Sequence, residues 1–298
     1  MAGKRLVILI SLMLLLSGCT QMKPVSESGA NQPAAYIQNK GSDTMVNLAL
    51  AWAEAYQQEH QDVRISVTGG GSGTGLTALL NGTVDLANAS RAIKDEELKT
   101  ARAAGIDPGE YVVARDAIAV IVNPENPVNQ LTLEQISGIY RGEITNWSQV
   151  GGEDRPIVKL SRETNSGTHV YFLEVVIRLG DPKNKAIFSA DTLLMPSSEG
   201  IIAEVGDNPN AIGYDGLGYV TKDVKMLAVA VKAGEPYILP SVETANNNAY
   251  PIARDLYIYT REKEPNHILK SYLDWILSPE GQEIVSDLGF VPIIREEK

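Results

Sequence analysis

The chain has 298 residues, with 26 Lys and Arg set against 37 Asp and Glu for a formal net charge of −11. That acidity argues against nucleic acid or an anionic membrane surface as a partner. Its one cysteine, Cys19, excludes an intramolecular disulfide, so an exported domain of this composition must be held by its apolar core.

The first element is a leader. Lys4 and Arg5 precede an almost unbroken apolar run from Leu6 to Leu16, closed by Ser17-Gly18-Cys19. This is the layout of an export signal, and the run is shorter than the roughly 20 apolar residues of a spanning helix. Leu16-Ser17-Gly18-Cys19 also fits a lipobox, in which the cysteine is acylated and becomes the first mature residue; a plain secretory peptide with an incidental cysteine is the alternative. Residues 1–18 are therefore expected to be removed, leaving 280 residues (298 less 18) and, without Lys4 and Arg5, a charge of −13. Residues 19–35 carry Ser, Glu, Gly, Asn, Gln and two prolines without apolar period, which predicts a flexible tether.

Beyond the tether, strand and helix patterns alternate. Tyr36 to Lys40 reads as a strand, Val46 to Glu59 as a helix with Val46, Leu48, Leu50, Trp52, Ala53 and Tyr56 as its apolar set, Val63 to Thr68 as a strand, and Leu76 to Asn81 as a helix. A short strand over Val84 to Ala87 precedes a helix over Lys94 to Ala104, opened by Asp95, Glu96 and Glu97 and stopped by Gly105. Ala117 to Val122 is apolar throughout, as a strand buried on both faces would be. A second series follows: helix Leu131 to Tyr140, strand Ile157 to Leu160, helix Thr168 to Leu179, helix Ser198 to Val205 and strand Ala211 to Tyr214. An alternating strand, Asp255 to Thr260, and two helices, Ile268 to Leu277 and Glu280 to Leu288, end the chain. Such a series predicts an α/β fold with ligands at the carboxyl ends of its strands.

Three segments rich in glycine and hydroxyls stand where helices begin: Gly41-Ser42-Asp43-Thr44, Gly69 to Gly75, and Arg162 to Thr168. The first N–H groups of a helix have no partner inside it and carry the positive end of its dipole, so together the segments suggest a cage for a small oxyanion. The glycine run lacks the lysine of a nucleotide-binding P-loop, since Gly75 is followed by Leu76; taken alone it also fits a flexible turn. Arg162 offers a guanidinium fork beside Ser166-Gly167-Thr168, although an ion pair with Glu163 and a helix cap at Ser166 would account for the same residues. Asp43 either caps the following helix or accepts the proton of hydrogen phosphate, which sulfate does not have. Ser90-Arg91 adds a hydroxyl and a cation, or a solvated arginine. The acidic total charge does not forbid an anionic ligand, because surface charges are screened beyond roughly 10 Å.

Signals for chemistry are thin. His60, His169 and His267 are isolated, no metal-ligand spacing occurs, and Ser72 in Gly-Gly-Ser-Gly-Thr lacks identifiable triad partners. The reading is therefore a binding protein rather than an enzyme, without metal or cofactor.

Over the mature length the chain resembles the phosphate-binding lipoproteins of ABC phosphate importers. The matching stretches are Gly41 to Met45, Gly69 to Gly75, Ala89-Ser90-Arg91, Ala117 to Pro127, Gly142 to Trp147, Ser161-Arg162, Ser166 to Thr168, and Asp274 to Gly281. The resemblance implies a type II periplasmic-binding-protein fold: two α/β lobes, a two-strand hinge, phosphate in the cleft and closure recognised by a membrane permease. On it, residues 36–115 and 252–298 would form lobe 1 and residues 116–251 lobe 2; a single large domain is the alternative. Ser42, Asp43, Thr44, Ser72, Ser90, Arg162, Ser166, Gly167 and Thr168 look like phosphate contacts. Two positions depart from patterns in the family: Arg91 stands where some members have aspartate, and His169 where others have arginine. The first departure moves the proton-accepting role to Asp43. The expected protein is a monomer, lipid-anchored at Cys19 and facing the periplasm or exterior. A receptor for sulfate, molybdate or tungstate, a phosphate-handling enzyme and a surface adhesin are the alternative functions.

Overall fold

The computed structural model describes residues 35–293. The first series is β1 (Ala35–Gly41), α1 (Val46–Glu59), β2 (Val63–Thr68), α2 (Ser72–Leu80), β3 (Leu86–Ala89) and α3 (Asp95–Ala103), leading into β4 (Gly109–Val122). The second is β5 (Gln130–Thr132), α4 (Leu133–Tyr140), β6 (Val158–Arg162), α5 (Gly167–Phe172), β7 (Leu193–Met195), α6 (Ser198–Asp207), β8 (Ala211–Gly216), β9 (Lys225–Met226), β10 (Ala228–Ala230) and α7 (Val242–Asn246). The chain then forms β11 (Ala253–Thr260), α8 (His267–Ile276) and α9 (Pro279–Asp287).

Eight strands run in the order β2-β1-β3-β11-β4-β8-β6-β7, with β9 also paired to β4; β5 and β10 form a separate parallel pair. The middle of this sheet explains the architecture. Residues Gly109 to Ala117 of β4 pair antiparallel with β11, and residues Ile118 to Val122 pair antiparallel with β8. One strand thus serves both halves of the sheet, and the chain returns beside it where the Ile118 amide donates to the Ile252 carbonyl at 2.8 Å. In the first half β1 lies parallel to β2 and β3, and in the second β6 lies parallel to β7 and β8. The loops after β1, β3, β6 and β8 therefore leave the carboxyl ends of parallel strands, where such folds collect their ligands.

The second half of β4, Asp116 to Val122, is buried on both faces, as its apolar run predicts. Ala119 and Ile121 face a core shared with Trp52, Tyr56, Leu160, Ile201 and Ile258, while Ile118, Val120 and Val122 face one built on Tyr140, Phe172 and Tyr214. Of the expected apolar set of α1, Leu48, Trp52, Ala53 and Tyr56 are buried while Leu50 faces solvent, and the Trp52 indole donates to the Gly281 carbonyl at 2.7 Å, tying α1 to α9. α9 begins with Pro279 in its first turn and Ser278 as its cap, the residue types that position favours.

Several boundaries differ from the sequence reading. β4 begins at Gly109, eight residues before the apolar run, because Glu110, Arg115 and Asp116 break any apolar pattern while backbone pairing with β11 continues. Helix α2 begins at Ser72, so half of the glycine run is its first turn; Gly71, at φ +88°, makes the entry. Helix α4 starts at Leu133, not Leu131, with Thr132 as its cap, and β3 lies two residues later than predicted. The helix after Thr168 widens into a π turn over Leu173–Ile177. No helix among the described residues is long and apolar enough to cross a membrane. The expected signal, Cys19 and nearly all of the tether lie outside the described residues.

Candidate functional site

The loops after β1, β3 and β6 and the start of α2 meet at the middle of the sheet. The Ser42 amide donates to the Asn88 carbonyl at 2.9 Å, which ties the first loop to β3. Asp43 then turns its carboxylate sideways rather than onto α1: Oδ1 accepts from the Gly70 amide at 2.8 Å, and Oδ2 lies 3.0 Å from Arg162 Nη2. Thr44 Oγ1 is 2.8 Å from Thr168 Oγ1. The Ser90 amide donates to Ser72 Oγ at 3.0 Å, and the two serine hydroxyls are 3.3 Å apart. Ser166 caps α5, accepting from the Thr168 amide at 3.2 Å, so capping and membership of the cage coexist.

Glycine is required at 167. A Cβ there would stand 2.5 Å from Ser90 Oγ and nearer still to Ser72 Oγ. Further out, the Gly73 amide donates to the Asn165 carbonyl at 3.1 Å, and the Asn165 side-chain amide donates to the Gly70 carbonyl at 2.9 Å. On the opposite flank the Tyr219 hydroxyl donates to the Asp43 carbonyl at 2.8 Å. All nine expected residues are thus gathered in one place, from segments up to 126 positions apart between Ser42 and Thr168. Apart from Asp43, whose side chain is 20% exposed, they are buried.

Arg162 is no surface partner of Glu163. It is buried, its Nη1 donating to Ser198 Oγ at 2.8 Å and standing 3.3 Å from Asp215 Oδ2, while Nη2 also reaches the Pro196 carbonyl at 3.3 Å. Asp215 Oδ1 in turn accepts from Ser198 Oγ at 3.0 Å and from the Gly216 amide at 2.7 Å. A second buried pair lies beneath the threonines, where Arg254 Nη2 is 2.9 Å from Asp116 Oδ2. Burial pushes the Asp116 and Asp215 carboxyls above their ordinary range, and the guanidiniums of Arg254 and Arg162 oppose that shift. Ser42 Oγ and Arg162 Nε are buried donors that meet no protein acceptor. Leaving such a group unsatisfied costs about 1–3 kcal/mol.

Two candidates fall outside the cage. Arg91 is buried and forms a fork with Glu97, at 2.8 and 2.7 Å, so it is not a solvated arginine and its charge is matched away from the hydroxyls. His169 stacks on Phe188 with ring centroids 4.6 Å apart, and its Nδ1 lies 3.0 Å from Ser161 Oγ; burial lowers its pKa. Among the described residues no group of three or more His, Cys, Asp and Glu side chains is placed to hold a metal ion. The sequence reading missed Asp116, Ser198, Asp215, Tyr219 and Arg254. Their one local signal is charge beside a buried strand: Asp116 precedes Ala117 to Val122, and Asp215 follows Ala211 to Tyr214.

The PBP superfamily domain matches residues 26–280. Over 274 residues the chain is 33% identical to the phosphate-binding protein PstS of Pseudomonas aeruginosa, covering 86% of this chain and 83% of that protein. The chain belongs to this family. Another member, the phosphate-binding protein PstS of Bacillus subtilis, is 30% identical over 272 residues, covering 90% of this chain and 84% of that one. Its fold is shared with solved structures. One, from Clostridium perfringens, is described as a phosphate ABC transporter substrate-binding protein with bound phosphate; it has a TM-score of 0.78 and 34% identity over 87% of this chain and all of that one. An ABC-type phosphate transport receptor from Vibrio cholerae gives a TM-score of 0.70 at 28% identity, covering 86% of this chain and 100% of that chain.

Proposed function

We propose that this protein binds inorganic phosphate outside the cytoplasm and delivers it to an ABC-type import permease, by closure of two lobes and without chemistry on the anion. The observation that carries the choice of ligand is the 3.0 Å pairing of Asp43 Oδ2 with Arg162 Nη2 at the cage. Hydrogen phosphate has both oxygens to accept from a guanidinium and a P–OH to donate to a carboxylate. Sulfate has acceptors only and would face the carboxylate unpaired.

The hydroxyls of Ser42, Thr44, Ser72, Ser90, Ser166 and Thr168 and the backbone at Gly167 supply the remaining donors in this reading. The relatives named for phosphate binding and the solved structure with bound phosphate support it. Lobe 1 is residues 36–115 with 252–298 and lobe 2 is residues 116–251; β4 and the segment entering β11 form the hinge. Acylated Cys19 anchors a monomer to the membrane, and no cofactor takes part.

Calorimetric titration with phosphate, sulfate and molybdate in competition tests the ligand. Phosphate should bind most tightly; binding of sulfate or molybdate without phosphate would overturn the assignment. Replacing Cys19→Ser should move the protein from the membrane to the soluble fraction, and an unchanged distribution would remove the anchor.

A further inference from the structure

One buried guanidinium at the cage is a group that neither the loops nor their motifs point to. Arg254 lies on β11 directly across from Asp116 on β4, so the pair sits on the two strands at the junction of the sheet halves. Its guanidinium is pinned on several sides: Nε and Nη2 reach Asp116 Oδ2 at 3.3 and 2.9 Å, Nη1 donates to the Ser90 carbonyl at 2.8 Å, and the Tyr171 ring centroid lies 5.7 Å from Cζ. Asp116 is itself held through Oδ1, which accepts from the Leu217 amide at 3.1 Å.

Above this pair, Arg254 Nη2 is 2.9 Å from Thr168 Oγ1 and 3.4 Å from Thr44 Oγ1. We propose that Arg254, held by Asp116, is a positioning residue for anion binding: it sets the linked hydroxyls of Thr44 and Thr168 so that the pair presents one donor toward the anion. The inference rests on the reading of the cage as the phosphate site.

The number of hydrogens available decides which way the hydroxyls point. A guanidinium offers donors only, whereas each hydroxyl has one hydrogen and two lone pairs. Nη2 has two hydrogens, one of them on Asp116 Oδ2, so Thr168 Oγ1 at 2.9 Å turns a lone pair to the other, and Thr44 Oγ1 at 3.4 Å shares it and also faces a donor. The two threonine oxygens are 2.8 Å apart, so one hydrogen is used between them. The other hydrogen cannot point at Arg254 and leaves the cluster, which presents a donor. Without the guanidinium, either hydroxyl could rotate and offer a lone pair to the anion, which repels it. Because Asp116 balances the charge of Arg254, the effect is orientation rather than added positive charge. Thr44 and the Ser90 carbonyl come from the first half of the sheet and Thr168 from the second, so the full set of contacts exists only when the two halves meet.

The test is a double-mutant cycle on phosphate binding, comparing Thr168→Val in the natural protein and in one carrying Arg254→Met with Asp116→Asn, a combination that leaves no unpaired buried charge. In the natural protein the valine should weaken binding by roughly 10-fold or more, and in the altered background by several-fold less. Additive losses, equal within about twofold, would sink the proposal, because a residue that only stabilised the fold would not couple to one hydroxyl. Should the altered background fail to fold, Arg254→Lys keeps the charge but cannot span Asp116, Ser90 and Thr168 together. It should weaken phosphate binding while melting near the natural temperature, and unchanged affinity would overturn the idea. Absence of phosphate binding by the natural protein would refute the reading of the cage itself, whereas binding with additive losses refutes only the role of Arg254.

Discussion

Replacing Asp43→Asn isolates the group proposed to read the phosphate proton. Asparagine keeps an oxygen for the Gly70 amide, now at 2.8 Å from the carboxylate, but puts an NH2 where Oδ2 faces Arg162 at 3.0 Å. That NH2 can accept neither from Arg162 nor from a P–OH. Losing one hydrogen bond to a charged group costs about 1.5–3 kcal/mol, or roughly 10- to 150-fold in affinity, and the 20% exposure of Asp43 points to the lower half of that range. Sulfate should respond in the opposite sense, since an amide donor replaces a carboxylate that repels its oxygens. Calorimetry with each anion, on protein shown to melt normally, gives the selectivity ratio. A ratio the same as in the natural protein would refute the role of Asp43, whatever happened to the absolute affinities.

Arg162→Ala should cost about 2–5 kcal/mol of phosphate binding and lower the melting temperature by leaving Asp215 buried without its partner; a negligible loss would place Arg162 outside the site. Gly167→Ala forces a methyl against Ser72 and Ser90, an overpacking of about 1–3 kcal/mol, and phosphate affinity equal to that of the natural protein would contradict the closeness of that contact. Tyr219→Phe removes the hydroxyl that reaches the Asp43 carbonyl, so stopped-flow should find release several-fold faster with association little changed; slower association instead would argue against a contact made on closure. Burial keeps the pKa of His169 below its ordinary value, so the unfolded chain protonates first as pH falls below about 6.5 and the native state loses stability from there down to the lowered native pKa. Urea unfolding of His169→Gln between about pH 7.5 and about pH 5 should show a flatter acid decline than the natural protein, and an identical decline would exclude His169 as its source.

What the sequence disclosed and what it hid divide by range. Ser42 to Thr44, Ser72 and Arg162 to Thr168 were legible because glycine, hydroxyl and helix-start signals lie within a few neighbouring residues. The partners of Arg162 were not: Asp43 and Asp215 are 119 and 53 positions away, and nothing near Arg162 distinguishes them from Glu163 next door. Arg91 misled for the converse reason, since it follows Ser90 but the fold brings it the carboxylate of Glu97. The first part of β4 escaped notice because a strand paired edge to edge through Asp116 and Arg254 needs no apolar alternation, only backbone partners supplied by β11. Trp52, by contrast, announced the face of α1 through its spacing, though its hydrogen bond to Gly281 became visible only in three dimensions.

The cage sets two guanidiniums, Arg162 and Arg254, against three carboxylates, Asp43, Asp116 and Asp215, inside a chain whose formal charge is −11. Nothing in that balance pulls a distant anion inward; the long-range field pushes it back. Capture must begin at contact range, where hydroxyls and amides outweigh the net charge. Added salt shortens the reach of the repulsion, so loading should quicken with ionic strength, opposite to the behaviour of a cationic receptor. The same field acts on every other anion in the surroundings, and only one able to satisfy the interior has a reason to stay.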